Sequence, residues 1–230
     1  MSTLADNISA IASRIDNAAR AAGRDPASVQ LLAVSKTKPA SAVREAFAAG
    51  LRDVGENYLQ EALTKQQALS DLPLIWHFIG PIQSNKTKAI AEHFDWVHSV
   101  DRLKIAQRLS EQRPGHLPPL NICLQVNVSG EDSKSGCAPA DLPALAQAVS
   151  ALPGLRLRGL MAIPEPTEDR AQQEAAFATL RQLQAQLGLG LGLDTLSMGM
   201  SHDLEAAIAQ GATWVRIGTA LFGARDYGQP

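Results

Sequence analysis

Cysteine is nearly absent from this 230-residue chain: Cys123 and Cys137 are the only two. Two are too few for a disulfide framework, and they lack the spacing of a metal site. Long apolar runs are missing as well, since none approaches the ~18 residues that span a bilayer. Nor does either sign of charge dominate. A net charge of −2 leaves no electrostatic footprint for nucleic acid or anionic lipid. Asp6, Arg14 and Asp16 interrupt the apolar positions of the N-terminal stretch, which therefore lacks the apolar centre of a secretory signal. Together these absences point to a soluble protein of a reducing compartment, the cytoplasm, that meets neither nucleic acid nor membrane. Tyrosine is scarce too, present only as Tyr58 and Tyr227. Apolar residues are plentiful at 45%, which argues against disorder, and the length suits one α/β domain over residues 1–230.

The chain opens with Leu4, Ile8, Ile11, Ile15, Ala18 and Ala22 at steps of four and three, the apolar face of a helix that Gly23 ends. Eight strand-like runs follow: "VQLLAVSK", "LRDVGEN", "LIWHFIG", "DWVHSV", "NICLQVNV", "LRLRGLMAI", "LDTLSMGM" and "TWVRIGTA". Helical patterns separate them. The clearest runs from Thr167 to Leu187, with Phe177, Leu180, Leu183 and Leu187 on one face; "SNKTKAIAEHF" reads as a shorter helix. Regular alternation implies parallel pairing, because parallel neighbours need long crossovers. Eight units predict a closed (β/α)8 TIM barrel, for which ~250 residues is typical, preceded by an extra N-terminal helix. An open doubly wound sheet is the alternative. "LGLGLGLD" at 187–194 follows a helix and precedes a strand, the reverse of a dinucleotide loop, and reads as an αβ connection.

Chemistry in a barrel gathers at the C-terminal ends of the strands. Those ends carry Lys36, Glu56, Asn57, Ser99, Asp101, Asn127, "SMGMS" at 197–201 and "RIGT" at 216–219, with Gln83 and Ser84 beyond the third strand. Ser84 and Asp101 read as helix N-caps. That explanation does not extend to Lys36 and Arg216. After the last two strands, Ser201, Gly218 and Thr219 suit a phosphate group, held by N–H groups at a helix start, by hydroxyls and by close backbone approach at Gly. Ordinary turn chemistry is the competing explanation. Alternation puts Leu32, Val34 and Lys36 on one strand face, and Trp214, Arg216 and Gly218 on another. If both faces point inward, an amine, a guanidinium and a phosphate cradle share the top of one barrel. A phosphorylated aldehyde fits that set, condensing with Lys36. Desolvation at an apolar strand end lowers a lysine's pKa toward the neutral amine this requires. Lys38 suits the role less, since Pro39 forces an extended, exposed connection.

The segments "LLAVSKTKP", "GENYLQEA", "WHFIGPIQSNK", "LRGLMAIP", "SMGMSHDLEAAI" and "VRIGTALFGARDY" stand in this order from about residue 30 to residue 227. Together they resemble the pyridoxal phosphate homeostasis protein family, single-domain barrels related to the N-terminal domain of alanine racemase. The resemblance implies that pyridoxal 5′-phosphate (PLP) is the cofactor and that Lys36 carries it as a Schiff base. It implies that Asn57 lies beside the ring, that Arg216 faces the pyridine nitrogen, and that Ser201, Gly218 and Thr219 hold the phosphate. By the same carry-over His77, Met161 and Met200 belong to the pocket wall. His202 falls in no motif carried over and reads as a solvated histidine at a helix start.

Two functions from different classes compete. One is a carrier that holds PLP without substrate turnover and serves PLP-requiring apo-enzymes; the other is a PLP-dependent amino-acid racemase. PLP stabilises carbanions best when its ring nitrogen is protonated, and a permanently charged Arg216 opposes that second positive charge, although racemases of this fold manage with an arginine. Racemases resembling this barrel take a tyrosine from a further domain of a partner subunit, and neither Tyr58 nor Tyr227 is an obvious substitute. The expectation is therefore a monomeric carrier rather than an enzyme. Lys86 and Lys134, in polar loops at the predicted mouth, are candidates for touching a partner or a second phosphate.

Overall fold

The structure, a computed structural model, describes residues 2–132 and 135–224. Eight parallel strands close into a barrel in chain order. They are β1 (Gln30–Val34), β2 (Asp53–Glu56), β3 (Ile75–Phe78), β4 (Trp96–Val100), β5 (Leu120–Gln125), β6 (Leu155–Met161), β7 (Thr195–Ser197) and β8 (Trp214–Ile217). The crossovers are α2 (Ala40–Ala48), α3 (Leu59–Ala68), α4 (Thr87–His93), α5 (Leu103–Gln112), α6 (Leu142–Ser150), α7 (Arg170–Gln186) and α8 (Leu204–Ala209). A leading helix α1 (Leu4–Ala21) and a single turn α9 (Thr219–Phe222) complete the set. Closure is made by β1 against β8, with Leu32 opposite Arg216 and Ala33 opposite Ile217. An open sheet would leave one edge each of β1 and β8 without a partner, so the doubly wound alternative falls.

Period-2 alternation sorts the strand residues into two cores. Ala33, Val54, Phe78, Val97, Ile122, Leu160, Leu196 and Val215 face outward and join the helices in one large buried cluster. Leu32, Val34, Ile79 and Trp214 face the barrel axis, as do Trp96, Cys123 and Met161. Both β1 and β8 faces singled out in the sequence therefore point inward. Each fully buried aliphatic side chain in these layers contributes about 1.5–3 kcal/mol from area alone.

Helix α1 is the extra N-terminal helix. Thr3 caps it in a reciprocal box with Asp6, and it buries Ile11, Ile15 and Ala19. Gly23 follows it with φ 68°, a left-handed turn suited to glycine. Arg14 reaches across from α1 to both carboxylate oxygens of Glu205, at 2.7 and 2.9 Å, and donates to the Ser201 carbonyl at 2.9 Å. The helix thus straps the segment between β7 and α8.

Local expectations fail at two places. "SNKTKAIAEHF" divides into a 3₁₀ turn over Ser84–Lys86 and then α4. Ser84 is no side-chain cap; its carbonyl accepts from Thr87 Oγ1 and Arg108 Nε. Asp101 does not cap α5 either. Its two oxygens go to Arg102 Nη1 and the Gly136 N–H instead, because a long-range loop contact outbids the local helix start. Among the described residues, no helix is long and apolar enough to cross a membrane.

Candidate functional site

A cavity of about 270 Å³ opens where the strands end. Val34, Ile79, Ile163 and Met200 give it apolar walls; Lys36, Asn57, Ser201, His202, Arg216, Gly218 and Thr219 bring the polar groups. Small-molecule sites run to ~300–1,000 Å³, so this one suits a ligand of a single ring with short substituents. The structure thus gathers Lys36, Asn57, Ser201, Arg216, Gly218 and Thr219 around one space, although their strands are far apart in the chain. Lys36 stands two residues beyond β1, on the inward face that Leu32 and Val34 begin. Asn57 follows β2 directly, and its Oδ1 is buried with no hydrogen-bond partner. Such an orphan acceptor is costly unless a ligand satisfies it.

Arg216 forms the floor. Its guanidinium donates from Nη1 to Ser197 Oγ at 2.8 Å and from Nη2 to the Ala162 carbonyl at 3.0 Å. Burial pushes its pKa down to about 10, with Asp203 opposing, so it remains a cation at neutral pH. A buried cation whose hydrogen-bond partners are a hydroxyl and a carbonyl leaves the cavity electropositive, and an anion entering it gains accordingly.

Below Arg216 a chain of polar side chains runs through the barrel interior. Ser197 Oγ lies 2.7 Å from His98 Nδ1, His98 Nε2 lies 2.8 Å from His77 Nδ1, and His77 Nε2 lies 2.8 Å from Asp53 Oδ1. With both imidazoles neutral, as burial favours, the Asp53 end fixes the direction of every bond. A carboxylate only accepts, so His77 donates from Nε2 and accepts at Nδ1. His98 must then donate from Nε2 and accept at Nδ1 from the Ser197 hydroxyl, whose oxygen accepts from Arg216. Both imidazoles are neutral in this pattern. Burial lowers the pKa of His77 and drives that of His98 well below the ordinary value, with His77 and Arg216 adding to the effect on His98. His77 also stacks on Trp96 at 5.4 Å and meets the edge of Trp214 at 4.9 Å.

The far wall is built from two turns. After β7, the Met200 N–H donates to Asp203 Oδ1 at 2.6 Å and the Asp203 N–H returns to the Met200 carbonyl at 3.2 Å, which presents Ser201 and His202 to the cavity. Gly199, at φ 101°, makes this turn possible, since a Cβ there would come within 2.6 Å of Ala207 Cβ. After β8, a Cβ on Gly218 would lie 3.2 Å from the Val34 carbonyl oxygen, so glycine keeps the start of α9 close to β1.

Two residues placed on the wall by resemblance lie elsewhere. His77 and Met161 are fully buried, do not line the cavity, and belong to the interior below it. Both face inward as alternation requires, but His77 pairs in register with Gly55 and Trp96, too low along the axis to reach the mouth. Met200 does line the cavity. So does His202, read from sequence as a solvated histidine; its side chain is 42% exposed and lies 3.4 Å from Asp203 Oδ2. Lys38 donates to the Ala224 carbonyl at 2.6 Å instead of facing the main cavity. Tyr58 is 54% exposed and Lys86 is exposed; neither lines the cavity. Tyr227 and Lys134 lie outside the described residues. The apolar walls Ile79 and Ile163 went unnoticed in sequence, although each directly follows a strand-like run's last core position.

The family model of the alanine racemase N-terminal domain matches residues 7–226. The chain is 80% identical over 230 residues to a pyridoxal phosphate homeostasis protein of Pseudomonas aeruginosa, covering 100% of this chain and 99% of that one. The chain belongs to the pyridoxal phosphate homeostasis protein family. Another member, from Escherichia coli strain K12, is 55% identical over 234 residues, covering 99% of each chain. Among solved structures, PipY of Synechococcus elongatus with PLP bound superposes with a TM-score of 0.85 at 43% identity, covering 96% of this chain and 100% of that one. Membership accounts for the shared barrel architecture.

Proposed function

We propose that this chain binds PLP in the cavity at the strand ends, joined covalently to Lys36, and holds it for release rather than turning over a substrate. The observation that carries the reading is the convergence of an amine, a buried guanidinium and two turn-borne hydroxyls on one small cavity. PLP bound in the PipY structure, at 43% identity, supports it, as does the name shared by the homologues.

The residues present fit the group. The orphan Asn57 Oδ1 calls for a partner, the apolar pair Val34 and Ile79 offers a surface to a ring, and the Gly218 approach leaves room that a Cβ would fill. When bound, PLP supplies an aldehyde that condenses reversibly with a primary amine, releasing water. Lys36 provides that amine. Ser201, Thr219 and the N–H groups at the start of α9 hold the phosphate, and Gly218 lets the backbone approach. Asn57 lies beside the ring. Arg216, pinned by Ser197 and Ala162, faces the ring nitrogen as a fixed positive charge. That charge disfavours a proton there and weakens the electron sink that carbanion chemistry needs. This electrostatic choice supports the carrier reading, although racemases of this fold manage with an arginine; PLP-requiring apo-enzymes as recipients, a monomeric state and a cytoplasmic setting are part of the same proposal.

One observation favours the racemase alternative: His202, a titratable group, lines the cavity. Borohydride reduction of the PLP-loaded protein, followed by peptide mapping, is expected to leave the pyridoxyl mass on Lys36; finding it on Lys38 overturns the assignment. Incubation of loaded protein with L- and D-amino acids in deuterated water separates the two classes. The expected result is no exchange of the α-proton above the rate of free PLP, whereas rapid exchange or racemisation selects the enzyme.

A further inference from the structure

Thr37, the residue after Lys36, has φ 65°, the one non-glycine residue with positive φ among those described. A β-branched side chain is a genuine outlier there, and the strain persists only where the surroundings impose it. The Thr37 hydroxyl gains nothing in return, since its oxygen is buried without a hydrogen-bond partner. What holds the conformation is the backbone: the Lys38 N–H closes a turn onto the Ser35 carbonyl at 3.0 Å, and the Thr37 N–H donates to Glu61 Oε1 at 2.6 Å.

Glu61 is itself held. The Lys65 ammonium, on the same helix one turn later and 4% exposed, has three protons and three acceptors. They are the Ser35 carbonyl at 2.6 Å, Glu56 Oε1 at 2.7 Å and Glu61 Oε1 at 2.8 Å. The Ser35 hydroxyl also donates to Glu56 Oε1. Lys36 is thereby flanked on both sides: Ser35 is bound to Lys65 and Glu56, and Thr37 to Glu61. The pull on the two neighbours comes from α3 and, for Ser35, also from Glu56 at the end of β2, while Lys36 lines the cavity on the inward side.

We infer that Glu61, locked by Lys65, is a positioning residue for Lys36: by fixing Thr37 in a left-handed conformation it aims the amine into the cavity. The inference rests on the reading of Lys36 as the attachment point for PLP. Covalent capture forms one C=N bond between the Lys36 nitrogen and the aldehyde carbon and expels the oxygen as water, so its rate depends on where the amine points. Glu61 touches neither partner of that reaction. Its influence passes wholly through the backbone between residues 35 and 37.

The test compares wild type, Glu61→Ala and Glu61→Gln, all in the full chain. Glu61 is partly exposed on the first turn of α3, where alanine is compatible with the helix. Each protein is mixed with PLP, quenched with borohydride over time and mapped. In Glu61→Ala, capture at Lys36 is expected to slow at least tenfold, with a larger share of pyridoxyl mass on other lysines. Glu61→Gln keeps an oxygen that accepts from Thr37 and is expected to recover to within about threefold of wild type. In the ligand-free proteins, hydrogen exchange at the Thr37 amide is expected to be protected in wild type and Glu61→Gln and unprotected in Glu61→Ala. Wild-type capture in Glu61→Ala, or an equal loss in Glu61→Gln, overturns the positioning role alone. If wild-type protein itself carries the label on another lysine, the reading of Lys36 falls, and this inference with it.

Discussion

Replacing His98 by glutamine isolates one proton in the stability of the whole barrel. His98 is fully buried between His77 and Ser197, with the Arg216 cation beyond, and burial holds its pKa well below the ordinary 6.5. The folded protein therefore keeps this imidazole neutral as the medium is acidified, while the unfolded chain takes up a proton near pH 6.5. Stability is lost as pH falls below that unfolded value, because the unfolded state binds more protons. For one such group held neutral in the folded state, the penalty is negligible near pH 7.5 and on the order of 1 kcal/mol near pH 5.5. Glutamine keeps a donor and an acceptor on one side chain but does not titrate. The assay is urea denaturation of wild type and His98→Gln at these two pH values. The variant pays a constant cost for lost ring packing, so its stability deficit is expected to shrink by on the order of 1 kcal/mol between about pH 7.5 and about pH 5.5. A deficit that stays the same at both pH values would refute the claim that His98 is held neutral.

Two further outcomes follow from packing and burial. Gly199→Ala places a Cβ 2.6 Å from Ala207 Cβ at φ 101°, and a loss of about 1–3 kcal/mol is expected in denaturation, with Ser201 displaced from the cavity. Burial raises the thiol of Cys123 to about 12 and that of Cys137 to about 11, so neither is expected to react with a thiol-directed reagent near pH 8 until the protein unfolds, as mass spectrometry reads directly.

Strand order and facing were legible because period 2 is a local property: "VQLLAVSK" and "TWVRIGTA" each state which residues share a face. The position of Lys36 and Arg216 at the top of that face followed from counting to the strand's end. Depth along the axis was not legible. His77 and Met161 face the right way, but how far each sits below the mouth depends on the stagger between neighbouring strands, which no single strand encodes. The same holds for the Asp53–His77–His98–Ser197 chain, whose members come from β2, β3, β4 and β7. Asp101 and Ser84 misled because a cap is decided by which donor reaches the side chain first, and Arg102 and Gly136 claim Asp101. Thr37 gave no signal at all: nothing in "SKTKP" announces a left-handed threonine, since the cause lies in Glu61, 24 residues on.

The bond from Arg14 to the Ser201 carbonyl joins residues 187 positions apart, and β1 meets β8 across a comparable stretch of chain. Lys36 and Thr219 therefore become neighbours only when the ring shuts, because they follow β1 and β8, whose pairing closes it. A chain that stops before β8 lacks Arg216, Gly218 and Thr219 from the cavity's lining. Any molecule that bridges the two sides acts as a clasp on the finished ring, and it stabilises the closed form by an amount that grows with the logarithm of its concentration over its Kd.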